Sequence, residues 1–335
     1  MDPDSEQSSD AGFPPSIRPI LDDPWNRGPG VPLDGPLEGT SFSIATMGFL
    51  TGFLALGTAF LVFQLVVSPV LLLVQIGLSE GGMEMMQTMS DTSELLATYT
   101  RELIISNSGG QLLGLAVPAL MMARLHSTRV TSYIRFRRVD GRFLLLAAVG
   151  VVALQPVVQW LAQVNQQLPL PEAVQAFEQT QLELIQTVLE SGLGTTFNLV
   201  ALALIPAFCE EILFRGYAQR QFERASGAAI GIVLSGVLFG VYHLRPSQIL
   251  PLTVLGLYLA YLTWRTGSLW PAILVHLIHN GLAVLAARYV RDHPQYEFEA
   301  LEQAPMPWYA VLGGFAIFGG VLYVLHPLAR RIRDE

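Results

Sequence analysis

Residues 206–216 read Pro206-Ala-Phe-Cys-Glu210-Glu211-Ile-Leu-Phe-Arg215-Gly216. Two adjacent carboxylates and an arginine stand in a run otherwise apolar enough to cross a bilayer. An ionised carboxylate at the centre of a membrane helix costs about 3 kcal/mol or more, so such residues mark function by default. Glu211 and Arg215 are spaced i, i+4 and share a helix face, where they can pair. Glu210 points about 100° away and is left for another partner. This spacing predicts one glutamate held ionised by arginine and a second tuned into a proton acceptor.

The surrounding composition agrees with a membrane setting. The chain has 335 residues, 51% hydrophobic and only 14% charged, against about a quarter charged in soluble domains. Mean hydropathy is positive. The single cysteine, Cys209, excludes an intramolecular disulfide framework and a multi-cysteine metal site. A net charge of −8 argues against nucleic acid as a partner.

Hydropathy and proline placement predict an all-α polytopic membrane protein of about eight transmembrane helices. Residues 1–41 are acidic and Pro-rich and are expected to be a disordered cytoplasmic tail, without a cleaved signal peptide. Residues 42–193 are expected to form accessory transmembrane helices and amphipathic segments, the latter near 79–101 and 172–193. Pro69 is the expected bend in the long first run, and Gly48 and Gly52 are expected to serve ordinary helix packing. Residues 194–290 carry the polar motifs and form the expected catalytic core. Residues 291–335 supply an acidic outer loop and the last helix.

Arginine bias orients the spans. All basic residues are Arg, six of them within 124–142. With the amino terminus inside, only Arg101, Arg245, Arg288 and Arg291 fall on outer segments. Both termini are therefore expected in the cytoplasm, in a cell inner (plasma) membrane.

The intramembrane polar groups are Glu210, Glu211, Arg215, His243, His276, His279 and Asn280. Counting from a reversal near Arg224–Gly227, Glu210 and His243 both come to roughly 22–26 Å of helix from the turn, so they share a depth. His276 and Asn280, spaced i, i+4, follow a second turn near Arg265–Gly267 at about 14 and 20 Å. Three helices thus deliver Glu, His, His and Asn to one layer. His279 is expected to be an ordinary core histidine, and His126, His293 and His326 to lie at span ends or in a loop without a role. A carboxylate and a histidine can hold and deprotonate a water, and a His–Asn pair can donate to the oxyanion formed on a carbonyl. Amide hydrolysis in the membrane is one chemistry for this set. Proton or cation relay in a transporter is another.

Other intramembrane protease designs are not matched. There is no His-Glu-x-x-His, no Gly-x-Gly-Asp, and Ser235-Gly236 lacks the preceding Gly of a Gly-x-Ser-Gly motif. Cys209 has no neighbour that would activate a thiol.

Three motifs in order, Glu210-Glu211-Ile-Leu-Phe-Arg215, Phe239-Gly-Val-Tyr-His243 and His276-Leu-Ile-His-Asn280, resemble those of the CAAX prenyl protease type II and bacteriocin-processing group of intramembrane proteases, also called CPBP or ABI. The resemblance spans about residues 195–290. It implies an all-helical core with a cavity open to peptide and lipid. It also implies that Glu210 activates water with help from His243, that Glu211 is held by Arg215, and that His276 and Asn280 form the oxyanion site. It allows a metal-free glutamate peptidase, which we prefer, or a Zn²⁺ enzyme with Glu210, His243 and His276 as ligands. The expected substrates are membrane-associated or prenylated and otherwise lipidated peptides or proteins, with membrane lipid as the surrounding partner. The rival readings are a non-catalytic scaffold or immunity protein and an ion-coupled transporter using the same charges.

Overall fold

Apolar length dictates the first level of structure. A segment crossing hydrocarbon must pair its backbone N–H and C=O groups internally, and a single run of this length can do so only as a helix. The computed structural model describes residues 31–79, 82, 98–190, 192–293, 295 and 304–334, and these contain helices and no strands. In chain order they are α1 (Ile44–Leu78), α2 (Thr100–His126), α3 (Gly141–Gln166), α4 (Glu172–Glu190), α5 (Thr195–Ser226), α6 (Ala228–Tyr242), α7 (Pro246–Thr266), α8 (Trp270–Asp292) and α9 (Trp308–Asp334). Seven are long and apolar enough to span a bilayer, with α4 and α6 the exceptions. The protein is an all-α polytopic membrane protein. The eighth expected span is α6, which is apolar but has only 15 residues. At ~1.5 Å per residue it falls short of a ~30 Å hydrocarbon core.

Polar contacts sort the helix ends into two groups. At one end, the Leu269 N–H donates to the Arg135 carbonyl at 3.0 Å and Ser268 Oγ to the Arg137 carbonyl at 2.7 Å. The segment before α1 joins this end, where the Gly35 N–H meets the His126 carbonyl at 3.0 Å. At the other end, Asn165 bonds the start of α7, and Gln163 bonds the Ala304 carbonyl at 2.6 Å. The alternation matches a chain threading back and forth. The amphipathic stretch expected over 172–193 is α4, which rests beside α8 and α2. The stretch expected over 79–101 and the acidic loop near 292–302 lie mostly outside the described residues.

Proline shapes three of the long helices. A proline removes an N–H and crowds the carbonyl four residues back. Ahead of Pro69, Pro118 and Pro206 the helix widens into π turns over Val62–Val67, Leu112–Ala116 and Leu199–Leu204. Pro69 therefore acts through a widened turn inside one continuous helix, while Pro156 is taken up within α3 without one. A fourth π segment, Ile212–Ala218, contains no proline and follows the glutamate pair directly. π turns of this kind occur frequently at functional sites.

The C-terminal half of α5 is the hub. Every residue from Leu213 to Arg224 is buried, so neighbours cover it on all sides. Gly48 and Gly52 of α1 lie so close to Gln221, Phe222 and Ala225 that a Cβ would clash, which is the packing role expected of them. Gly227, at φ +88°, makes the reversal into α6.

The same end of the bundle also holds a buried polar network. Glu38 accepts from His126 Nδ1 at 2.6 Å and from Arg224 Nη2 at 2.7 Å. His126 Nε2 meets the Tyr217 hydroxyl at 3.1 Å, and Arg224 Nη1 donates to the Tyr133 hydroxyl at 3.2 Å. Arg135 is ion-paired with Glu223. Asp34 accepts from the Thr128 N–H at 2.8 Å and from its hydroxyl at 2.7 Å. Residues 1–30 of the expected tail lie outside the described residues, but 34–38 are docked against α2 and α5. His126 is therefore not a bystander at a span end. It joins the segment before α1 to the hub.

Candidate active site

The two glutamates separate as their spacing requires. Glu211 is fully buried, and its Oε1 accepts from Arg215 Nη1 at 3.0 Å and from His276 Nδ1 at 2.8 Å. Arg215 is also fully buried, and its Nη2 donates to the Gly256 carbonyl at 3.1 Å. That carbonyl is within reach because α6 and α7 touch through Gly236 and Gly256, where a Cβ on Gly256 would stand 2.7 Å from the Gly236 oxygen. The Arg215 guanidinium lies 4.3 Å from the Phe239 ring centroid, a cation–π contact.

Glu210 turns elsewhere. Its Oε2 is buried without a hydrogen-bond partner and faces His243 Nε2 at 3.9 Å. The helix arithmetic that gave these residues a common depth is met. His243 Nδ1 lies 2.8 Å from the Phe239 carbonyl. A carbonyl can only accept, so Nδ1 carries a proton, and in the neutral form of the ring Nε2 is an acceptor toward Glu210. Two acceptors 3.9 Å apart do not bond each other, but they suit a water that donates to both.

The same logic bears on α8. His276 donates from Nδ1 to Glu211, so in the neutral form of its ring Nε2 is an acceptor as well. Asn280 is half-buried, and its Nδ2 donates to the Leu202 carbonyl at 3.2 Å, leaving one N–H for another partner. His279 has a buried Nδ1 without a hydrogen-bond partner and lies within electrostatic reach of His276 and His243. The motif residues of α5, α6 and α8 are thus brought together in two linked pairs, Glu210–His243 and Glu211–His276.

Phe239 binds these pairs together. Its buried ring lies edge-on to His243 at 4.8 Å, to His276 at 5.6 Å and to Phe214 at 5.3 Å. Neither Phe239 nor Gly256 was assigned a role from sequence. Phe239 had a signal, as the first residue of its motif, whereas Gly256 bonds through backbone and has none.

The chain after His243 is held in an unusual conformation. Leu244 has φ +52°, which is costly for a bulky residue and persists only where the surroundings impose it. The buried Asn165 does so from α3. Its Nδ2 donates to the Pro246 carbonyl at 2.8 Å, and its Oδ1 accepts from the Leu250 N–H at 2.9 Å. Glu178 of α4 adds a bond to the Ser247 N–H at 2.8 Å.

The residues do not present a ready zinc site. Among the described residues, no three His, Cys, Asp or Glu side chains are grouped closely enough to hold a metal ion. In the expected set of Glu210, His243 and His276, the His276 Nδ1 is taken by Glu211, so only its Nε2 could serve as a ligand.

Comparison with known proteins places the similarity in the same segment. Residues 192–282 match the family model of the type II CAAX prenyl endopeptidase Rce1-like proteins. The chain is also similar to a Bacillus subtilis (strain 168) protein named "Putative membrane peptidase YdiL", at 25% identity over 130 residues. That match covers 38% of this chain and spans half the length of the relative. No solved structure matches. The matched segment runs from just before α5 into α8 and contains all three motifs, so the similarity to the Rce1-like type II CAAX prenyl endopeptidases lies in the part of the chain that assembles the site.

Proposed function

We propose that this protein is an intramembrane endopeptidase that hydrolyses peptide bonds of membrane-associated or lipidated, CAAX-like substrates. The observation that carries this reading is the Glu210–His243 pair, in which a buried carboxylate oxygen without a partner faces an imidazole acceptor at 3.9 Å. A water donating to both would lose a proton to Glu210 as its oxygen attacks the scissile carbonyl carbon. The carbonyl π electrons move to oxygen, giving a tetrahedral oxyanion. Collapse expels the amine, which takes the proton from Glu210, and the C–N bond breaks. Glu211 does not take part in proton transfer. Bonded through Oε1 to Arg215 and His276, it fixes α5 against α8 and holds the His276 ring in place, while its Oε2 is buried without a partner.

His276 and Asn280 remain the proposed oxyanion residues, with one condition. Because Nδ1 is bonded to Glu211, His276 can donate from Nε2 only as the imidazolium. Asn280 can donate its second N–H without change. The arginine bias supports both termini in the cytoplasm of a plasma membrane.

The test is mass spectrometry of peptides from native membranes incubated with purified wild type or Glu210→Gln, each with and without a strong chelator. Products that need Glu210 and survive chelation are expected. Loss on chelation would make a metal part of the chemistry. Identical peptides from both proteins would sink the peptidase reading and leave transport or scaffolding.

A further inference from the structure

We propose that Tyr242 is a further catalytic residue, whose hydroxyl donates a hydrogen bond to the oxyanion that forms on the substrate carbonyl. This rests on the peptidase reading. The site as assembled is rich in acceptors: the Glu210 carboxylate and, with both rings neutral, Nε2 of His243 and of His276. Oxyanion stabilisation needs the opposite, donors aimed at developing negative charge. Asn280 has one N–H left after its bond to Leu202. A second neutral donor is missing from the motif residues.

Tyr242 supplies an O–H at this place. It precedes His243 at the end of α6, three residues after Phe239, so Tyr242 and His243 flank Phe239 on the helix, one on each side. Its ring stands edge-on to Phe214 at 5.0 Å, and Phe214 follows Glu210 by one helical turn. On its other side the ring meets Phe60 of α1 at 5.1 Å. The hydroxyl is buried, has no hydrogen-bond partner and feels the Glu210 charge. A buried hydroxyl without a partner costs ~1–3 kcal/mol. Phenylalanine would fill the same ring contacts without that cost, so the hydroxyl is retained for something the protein itself does not bond. A carbonyl oxygen turning into an oxyanion beside Glu210 fits it.

The test compares Tyr242→Phe with wild type and Glu210→Gln, all as full-length chains in the same detergent. The probe is whichever peptide wild type cleaves and Glu210→Gln does not. We expect kcat to fall about 100-fold, in line with loss of one oxyanion donor. KM should stay within about twofold and the melting temperature should not drop, because Phe keeps the contacts with Phe60 and Phe214. A kcat within threefold of wild type overturns the proposal. So does a fall in kcat accompanied by a lower melting temperature and a raised KM, which would mark a packing role. If wild type yields no Glu210-dependent product, the peptidase reading fails and this proposal goes with it. A product that Tyr242→Phe still releases at the wild-type rate removes this proposal alone.

Discussion

Glu211 on α5 and His276 on α8 meet through a single 2.8 Å contact between Oε1 and Nδ1, and Arg215 closes on the same oxygen at 3.0 Å. One buried carboxylate therefore ties together residues from two of the three motif helices, while its neighbour in sequence, Glu210, faces His243 instead.

Stability and activity should separate between the two glutamates. Arg215→Ala leaves the Glu211 charge buried beside a histidine alone, and such losses cost about 3–5 kcal/mol. Arg215→Lys should rescue little of this, since one ammonium cannot pair with Glu211, bond the Gly256 carbonyl and lie flat on Phe239 together. Glu210→Gln should change stability by less than about 1 kcal/mol. Thermal unfolding of the three variants in one detergent checks the order. A large loss in Glu210→Gln would mean that Glu210 is structural.

Phe239→Leu should lower activity more than its modest change in volume suggests. Leucine keeps most of the apolar fill but not the ring face under Arg215 or the edges against His243 and His276. A cation–π contact away from water is worth ~2 kcal/mol, so a clear drop in melting temperature should accompany the loss of turnover. Wild-type turnover in Phe239→Leu would show that the ring is only filler.

The candidate site was partly legible in the sequence and the rest was not, for identifiable reasons. Glu211–Arg215 follows from i, i+4 spacing, and the shared depth of Glu210 and His243 follows from helix rise. Both are properties of single helices and tight turns. The bond between His276 and Glu211 depends on which faces of α5 and α8 meet, which rise and spacing do not encode. The sidedness count is likewise silent on packing: Arg135, Arg220 and Arg224, counted there as markers of the inner side, are all buried, Arg135 against Glu223 and Arg224 against Glu38. Residues 34–38 look like tail by composition because their contacts are polar and lie far away in the chain.

Acid should loosen that docked segment. Burial alone would raise the Glu38 carboxyl, but bonds from His126 and Arg224 outweigh it and hold it down at about 2, against an ordinary 4.5. A depressed carboxylate contributes stability that is full above its unfolded value and is lost as pH falls toward its folded one. Wild type should therefore lose melting temperature between about pH 5 and pH 2 more steeply than Glu38→Gln. Glu38→Gln should also melt lower near neutral pH. Parallel curves for the two proteins would show that Glu38 contributes nothing to the acid response.

The proline-free π segment at Ile212–Ala218 also governs how chains of this kind can be compared. A widened turn stores about one residue more than the α-helical path it replaces. It is thus the place in α5 where a single-residue gap could open without spinning everything beyond it by about 100°. A gap elsewhere between Glu211 and Arg224 would turn the Arg220 and Arg224 side chains away from Tyr133 and Glu38. A relative one residue shorter here can keep both halves of the helix in frame, and the missing residue belongs to the bulge.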